Sequence, residues 1–255
     1  MLVDFLMKKM DGKMAATLAT VIGILAVPTI MASQNWNDHD RSDKYTARDF
    51  AIDYLESCAP NAILFTMGDN DTYPLWYAQE VEGIRTDVRI INLSLLGTDW
   101  YINQLRYKIN QSEPIDPIWS AAQIEGSSRD IVRYNPNPAL TNGQYMDLYT
   151  MMKDYAGSDD PSRVGVTNDG ETVNTFPSQK VSVPVDSLLV RKNGTVNADD
   201  NVVSQLQFEF SKSYLFKNDA AILNIIAANK WKRPICFTSL YNELGFEKYL
   251  ELENL

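Results

Sequence analysis

Residues 62–71 read AILFTMGDND, and this stretch sets the fold. The first six residues form a short, continuous apolar run, which is typical of a β-strand that is buried on both faces of a sheet. The next four are turn-forming residues, as expected between a strand and a helix. Apolar residues then recur at helical spacing over residues 73–83. The stretch therefore predicts a strand, a turn and a helix in succession.

The same pattern repeats further along the chain. Residues 87–96 contain a second apolar strand, and residues 99–110 predict a second helix with apolar residues on one face. A helix that begins at Thr46 precedes the first strand, because a threonine at this position can cap the free N–H groups. Strands that alternate with helices predict an α/β domain with a mainly parallel sheet and right-handed crossovers.

Residues 111–203 are less regular, and we interpret them as an irregular insertion over the sheet. Within this region, residues 146–155 have a helical pattern and residues 180–185 alternate in the manner of a strand. Regular structure returns in three predicted elements: a strand, a helix and a strand at residues 205–210, 218–229 and 234–238.

The N-terminal segment is long and apolar. No charged residue occurs between Met14 and Asn37, so residues 14–34 are predicted to form one transmembrane helix of about 20 residues, the length that crosses a bilayer. Lysines precede this segment and aspartates follow it. The positive-inside rule then makes residues 1–13 a cytoplasmic stub and residues 35–255 a soluble, periplasmic domain of an inner-membrane protein. A cleaved signal peptide and a buried core helix are the alternatives.

Composition excludes several classes of function. The formal net charge of −10 argues against a nucleic-acid partner, because an acidic surface repels phosphates. The single histidine, His39, excludes a histidine-rich metal site and a Ser-His-Asp triad elsewhere in the chain. The two cysteines, Cys58 and Cys236, are far apart and form no C-x-x-C pair, which argues against a zinc site. A buried free thiol at Cys236 and a disulfide between the two cysteines both stay open.

The first candidate site follows the first predicted strand, where open α/β sheets bind their ligands. The carboxylates of Asp69 and Asp71 suit a divalent cation, the candidate cofactor, or sugar hydroxyls. Asn70 and Thr72 complete this predicted ligand-binding set, and Trp76 is placed to stack on a sugar ring. The alternative is a ligand-free turn in which the same residues form the turn and cap the next helix.

A second candidate lies just after the predicted membrane helix. It consists of Asp38, His39, Asp40 and Arg41. A carboxylate beside His39 would tune the imidazole for acid–base chemistry. The alternative is a solvated linker whose charges pair locally, since exposed runs of charge are usually solvated.

Seven longer runs carry a family resemblance. They read NWNDHDRS at 35–42, YTARDF at 45–50, SCAPNA at 57–62, GDNDTYPLWY at 68–77, RTDVR at 85–89, KND at 217–219 and WKRPI at 231–235. Together they resemble the C-terminal part of bacterial protein O-mannosyltransferase-like proteins, which are polytopic membrane glycosyltransferases of the GT-C type. The resemblance covers most of residues 14–255.

The resemblance implies an extracytoplasmic accessory domain of a membrane glycosyltransferase that uses a lipid-linked sugar donor. In such enzymes the catalytic carboxylate lies in an early loop of a multi-helix membrane region. No position here corresponds to that loop, so no catalytic residue is assigned. The implied partners are this missing N-terminal membrane region, membrane lipid, and a glycan or protein acceptor.

Two further expectations concern the extent and the role of the chain. It is expected to be a fragment of a longer protein and to end at Leu255 within a further apolar element. The alternative roles are a non-catalytic binding or scaffold module of a cell-envelope complex, and an independent metal-dependent α/β enzyme that uses Asp69 and Asp71.

Overall fold

The computed structural model describes residues 1–127, 129–166, 170, 172–239 and 244–246. The chain divides into two compact units, Met1–Thr46 and Ala47–Leu255. The first unit is helical, and the second is the α/β domain. Most of the apolar C-terminal stretch that was expected to form a further element lies outside the described residues.

The N-terminal unit contains two helices, α1 (Leu2–Met7) and α2 (Gly12–His39). Helix α2 has 28 residues, so it is about 42 Å long and extends beyond the predicted span of 14–34 at both ends. Its most apolar 18 residues have a mean hydropathy of 2.0. Pro28 lies inside this helix, which membrane helices tolerate. A helix of this kind fits a single membrane span or a signal sequence.

The α/β domain is built from short elements. Its α-helices are α3 (Thr46–Ser57), α4 (Asp69–Glu80), α5 (Asp99–Gln104), α6 (Ala121–Ile124), α7 (Pro138–Thr141), α8 (Leu148–Thr150), α9 (Ser187–Lys192) and α10 (Lys217–Asn229). Its strands are β1 (Ile63–Thr66), β2 (Arg89–Asn92), β3 (Ile131–Tyr134), β4 (Met146–Asp147), β5 (Val164–Val166), β6 (Thr172–Phe176), β7 (Lys180–Pro184), β8 (Gln205–Glu209), β9 (Tyr214–Phe216) and β10 (Ile235–Phe237). A 3-10 turn covers Leu95–Gly97, and a π-helix covers Met151–Ala156.

The predicted parallel sheet is confirmed. Strand β1 lies in the centre and pairs in parallel with β2 on one side and β10 on the other. Ile63 is level with both Arg89 and Ile235. The carboxyl ends of the three strands therefore meet at one edge, although β10 comes from the far end of the chain.

Both faces of this sheet are covered, as the continuous apolar run predicts. Leu64 packs against Leu55 of α3 and Leu75 of α4. Ile63 and Phe65 point to the opposite face, where they join the main core with residues of α10. The central strand is buried along its whole length, so it serves as the scaffold on which the loops at the strand ends are held.

Residues 111–203 are more closely tied to the rest of the domain than an insertion over the sheet would be. Their strands belong to two mixed sheets, with the orders β5-β6-β3-β9 and β4-β7-β8. Each sheet includes one strand from beyond residue 203. In the first sheet β9 pairs antiparallel with β3, and in the second β8 pairs antiparallel with β7. Phe176 and Val181 also share one core with Ile222 of α10.

Three predicted helices differ from the structure at their boundaries. Helix α4 begins at Asp69 rather than at residue 73, because the Asp71 side chain accepts the free N–H of Gly68 and so starts the helix early. Helix α5 ends at Gln104 rather than near residue 110. The helix predicted at 146–155 is one turn of α-helix followed by the π-helix.

Candidate functional site

The turn between β1 and α4 is held together by the carboxylate of Asp71. Its Oδ2 accepts the backbone N–H of Met67 at 2.8 Å, and its Oδ1 accepts that of Gly68 at 2.9 Å. The hydroxyl of Thr238, which follows β10, also donates to Oδ2. Partial burial acts to raise the pKa of Asp71, but the Thr238 hydroxyl and the backbone donors outweigh it and lower that pKa. Asp71 thus joins the ends of β1 and β10.

Thr72 lies fully buried beneath the same turn. Its hydroxyl is 2.6 Å from that of Thr66 and donates to the Gly68 carbonyl at 2.5 Å. The Asn92 side-chain amide, at the end of β2, donates to the Thr72 hydroxyl at 2.9 Å. Together with Asp71, Thr72 therefore joins the carboxyl ends of all three parallel strands.

Two of the three remaining residues of this candidate site face outwards. Asp69 and Asn70 are exposed at the start of α4, and the charge of Asp69 and a hydrogen bond to it raise the pKa of Tyr73. Within the described parts of the chain, no three His, Cys, Asp or Glu residues are grouped so that they could hold a metal ion. The predicted set is therefore divided: Asp71 and Thr72 organise the turn, while Asp69 and Asn70 meet solvent.

A cleft of about 400 Å³ lies along β2, which is an outer strand of the parallel sheet. Its lining comes from α4, the segment before β2, β2 itself, α5 and the loop after α5: Trp76, Gln79, Glu80, Thr86, Val88, Arg89, Ile90, Trp100, Tyr101, Gln104, Leu105, Ile109, Asn110 and Ser112. Trp76 is half-buried, whereas 60% of Trp100 is exposed. The cleft thus presents two indoles among apolar side chains, with amides of Gln104 and Asn110 near them.

Arg89 is the cationic residue of this cleft. It is only 3% exposed, and its Nε donates to the Ser112 hydroxyl at 3.1 Å. Its Nη2 donates to three backbone carbonyls, those of Tyr107, Ser112 and Glu113. Its Nη1 has no hydrogen-bond partner among the described residues. Burial lowers the pKa of Arg89, so the guanidinium has spare donors in a place where water stabilises it little.

A second arginine, Arg233, shares a hydrogen-bond partner with Arg89. Arg233 donates to the same Ser112 hydroxyl at 3.0 Å and to the carbonyls of Asn61 and Ala62 at the start of β1. Burial and the nearby Arg89 guanidinium lower the pKa of Arg233 to about 10. The pair holds the amino ends of the parallel strands in place, and only Arg89 lines the cleft.

The second candidate, residues 38–41, lies in the N-terminal unit. Asp38 and His39 end α2, and the Arg41 guanidinium donates to the Asp38 carbonyl at 3.1 Å. The Asp40 carboxylate accepts both the N–H and the hydroxyl of Ser42, and these bonds lower its pKa. The charges of this exposed segment thus make local contacts of the kind expected in a solvated linker.

Sequence reasoning identified part of this arrangement. It grouped Trp76 with the turn after β1, and the structure places Trp76 in the lining of the cleft along β2. It did not include Arg89 or Asn110, whereas Trp100 is also an aromatic that could stack on a sugar ring or belong to the core. A signal existed for Arg89, since a cation inside the mainly apolar run 87–96 must be satisfied by the fold or by a ligand if it is buried.

Comparison with known proteins gives a family for the domain. Residues 47–255 match the family described as TMEM260-associated domain 2. No curated protein and no solved structure matches the chain. The match spans the whole α/β unit, including the turn at Asp71 and the aromatic cleft. The chain therefore belongs to the family of TMEM260-associated domain 2.

Proposed function

We propose that this chain is the extracytoplasmic accessory domain of a membrane glycosyltransferase that takes sugar from a lipid-linked donor. The domain binds sugar and does not itself form the glycosidic bond. Family membership supports this role, because the domain is linked to TMEM260, a candidate protein O-mannosyltransferase. The apolar helix α2 supports attachment to a membrane, with the domain on the outer face of the cytoplasmic membrane and the catalytic membrane region as its partner.

The observation that carries the proposal is the cleft with Trp76 and Trp100. The C–H faces of a sugar ring are apolar and pack well on indole rings, whereas its hydroxyls need hydrogen-bond partners. The cleft offers both, because Arg89, Gln104 and Asn110 line the same cleft as the two indoles. Its volume of about 400 Å³ lies in the range of small-ligand sites. We assign the ligand as a hexose unit of the acceptor glycan or of the donor.

The turn at Asp71 supports an accessory role over an independent enzyme. Enzymes with open α/β sheets place their reacting groups at the carboxyl edge of the sheet. Here the Asp71 carboxylate accepts hydrogen bonds from the backbone and from the Thr238 hydroxyl, and the Thr72 hydroxyl accepts one from Asn92. These bonds connect the three strand ends. A carboxylate that accepts three hydrogen bonds and has a lowered pKa is a poor proton donor or acceptor near neutral pH.

Sugar transfer by the longer protein tests this role. Membranes that contain the full-length protein are supplied with a lipid-linked sugar and an acceptor polypeptide, and Trp100→Ala is compared with the unaltered protein. We expect the variant to lower transfer mainly by raising KM, because it weakens binding and leaves the chemical step intact. Tyr77→Ala serves as the matched control. Tyr77 is an exposed aromatic residue of α4 that does not line the cleft.

The 255-residue chain by itself, placed in liposomes with the same donor and acceptor, should transfer no sugar. Transfer by this chain alone would show that it is an enzyme. Equal KM values for Trp100→Ala and Tyr77→Ala would show that the cleft is not used.

A further inference from the structure

The two cysteines of the chain, separated widely in sequence, meet in the fold. Cys58 follows the last residue of α3, and Cys236 is the middle residue of β10. Both side chains belong to the apolar cluster between α3, α4 and the parallel sheet. The Cys58 thiol donates to the Tyr54 carbonyl at 3.3 Å, and the Tyr54 hydroxyl donates to the carbonyl of Thr238, two residues after Cys236, also at 3.3 Å. The end of α3 that carries Cys58 therefore packs against β10, which carries Cys236, within one apolar cluster.

The surroundings of Cys58 favour the thiolate, the form that reacts with disulfides. The Arg85 guanidinium donates to the Cys58 carbonyl at 3.0 Å and to the Leu55 carbonyl at 2.7 Å. The Cys236 side chain lowers the pKa of the Cys58 thiol most, and the charge of Arg85 lowers it further; burial and the charge of Asp87 oppose this shift without reversing it. Arg85 is itself held by an ion pair with Asp87 at 2.9 Å, so the cation is fixed beside the thiol.

We propose that Cys58 and Cys236 form an intramolecular disulfide by exchange with a disulfide-bearing oxidant. The thiolate of one cysteine attacks a sulfur of the oxidant, and the first thiol of the oxidant leaves. The thiolate of the second cysteine then attacks the mixed disulfide and displaces the second thiol. Each cysteine loses one proton, and the two electrons reduce the oxidant to two thiols.

The disulfide joins the end of α3 to the outer strand β10. It closes a loop of roughly 180 residues, which restricts the unfolded chain strongly. Asp71 and Thr238 connect β1 to the end of the same strand, so the cross-link acts on the element that also holds the turn. We expect oxidation to raise the Tm of the domain by roughly 5–15 °C.

Formation in cells rests on the extracytoplasmic location in the proposed function, because cytosolic thiols are kept reduced. The pairing itself rests only on the fold. Two experiments therefore separate the two claims, one on the purified chain and one on intact cells.

In the first experiment, the purified and reduced 255-residue chain is incubated with oxidised glutathione, denatured, alkylated and digested with trypsin. We expect one cross-linked product that joins the peptides 49–85 and 233–248, together with the rise in Tm. The Cys58→Ser and Cys236→Ser variants should each bind one glutathione and show no rise. Two free or separately glutathionylated cysteines in the unaltered chain would overturn the pairing, and so would cross-links only between chains.

In the second experiment, cells that express the chain are quenched with acid, and their free thiols are alkylated before any reduction. We expect both cysteines to be protected from alkylation until a reductant is added. A chain that forms the disulfide in vitro but stays reduced in cells would keep the pairing and contradict the extracytoplasmic location.

Discussion

Replacing Asp71 by asparagine tests the view that this residue organises the turn and does not bind a ligand. The carboxylate accepts two backbone N–H groups and the Thr238 hydroxyl. An asparagine amide keeps one acceptor oxygen, so at least one of these donors must face an NH2 group. Hydrogen bonds to a charged acceptor contribute about 1.5–3 kcal/mol each, and an unpaired donor costs about 1–3 kcal/mol.

Asp71 is only partly buried, so water can replace some of what is lost. We therefore expect a loss of about 2 kcal/mol in the free energy of unfolding. For a domain of this size, that lowers the Tm by about 4–8 °C. Urea unfolding followed by circular dichroism, together with a thermal scan, measures both quantities. Asp69→Asn, two residues earlier and exposed, is the matched control and should change stability by less than about 0.5 kcal/mol.

The dependence on pH gives a second check with a definite sign. The pKa of Asp71 is lower in the folded protein than its ordinary value. Its contribution to stability is therefore complete above the pKa of the unfolded chain, about 3.9, and is lost as pH falls through the lower folded pKa. The difference between the unaltered protein and Asp71→Asn should be constant near neutral pH and shrink below about pH 4. Equal stability of the two proteins at pH 7, or a larger loss in Asp69→Asn, would refute the reasoning.

Two further substitutions test the packing of the domain by the change in urea midpoint. The buried Lys217 ammonium donates to the carbonyls of Ile124 and Gly126 and pairs with the partly exposed Asp99 and Asp130. Lys217→Met should cost about 1–3 kcal/mol, mainly by leaving the buried carbonyls unpaired, because water can solvate the two carboxylates; an unchanged midpoint would contradict this. A Cβ added at Gly157 would lie 2.5 Å from Nε1 of Trp119, so Gly157→Ala should destabilise by about 1–3 kcal/mol. Gly97→Ala, where a new Cβ meets nothing within 4 Å, is its control and should be much milder.

The parallel sheet could be predicted because each of its strands is a local apolar run with a turn or a helix beside it. The residues 62–67 and 87–96 carry that signal without help from distant contacts. Helix α10 was equally clear, since residues 218–229 are apolar on nearly all sides and must be buried.

The mixed sheets could not be predicted in the same way. Strand β3 pairs with β9, which lies some 80 residues later, and strand β4 has only two residues. Strands this short carry little alternation, and their pairing is decided by contacts that no local pattern records. Residues 111–203 were therefore interpreted as an insertion, although they share the main core.

The candidate site was predicted only where one segment carried it. The run from Asp69 to Trp76 is continuous, so its position after β1 was visible. The cleft, in contrast, combines α4, β2, α5 and the following loop. Within the described part of the chain, the Nη1 of Arg89 has no hydrogen-bond partner, and this depends on how three separate carbonyls surround the rest of that guanidinium. Contacts between segments that are separate in sequence leave no local pattern from which this arrangement could be predicted.

Direct binding of a hexose to the purified chain tests the central claim. Methyl hexosides, including methyl mannoside, are titrated by calorimetry into the unaltered chain and into the Trp100→Ala and Tyr77→Ala variants. Loss of the Trp100 indole should cost about 1–2 kcal/mol of binding free energy, which raises the Kd about 5- to 30-fold. The Tyr77→Ala variant should bind with the same Kd as the unaltered chain. Absence of binding by every hexoside, or equal affinity of the Trp100→Ala variant, would contradict the assignment of the cleft to sugar.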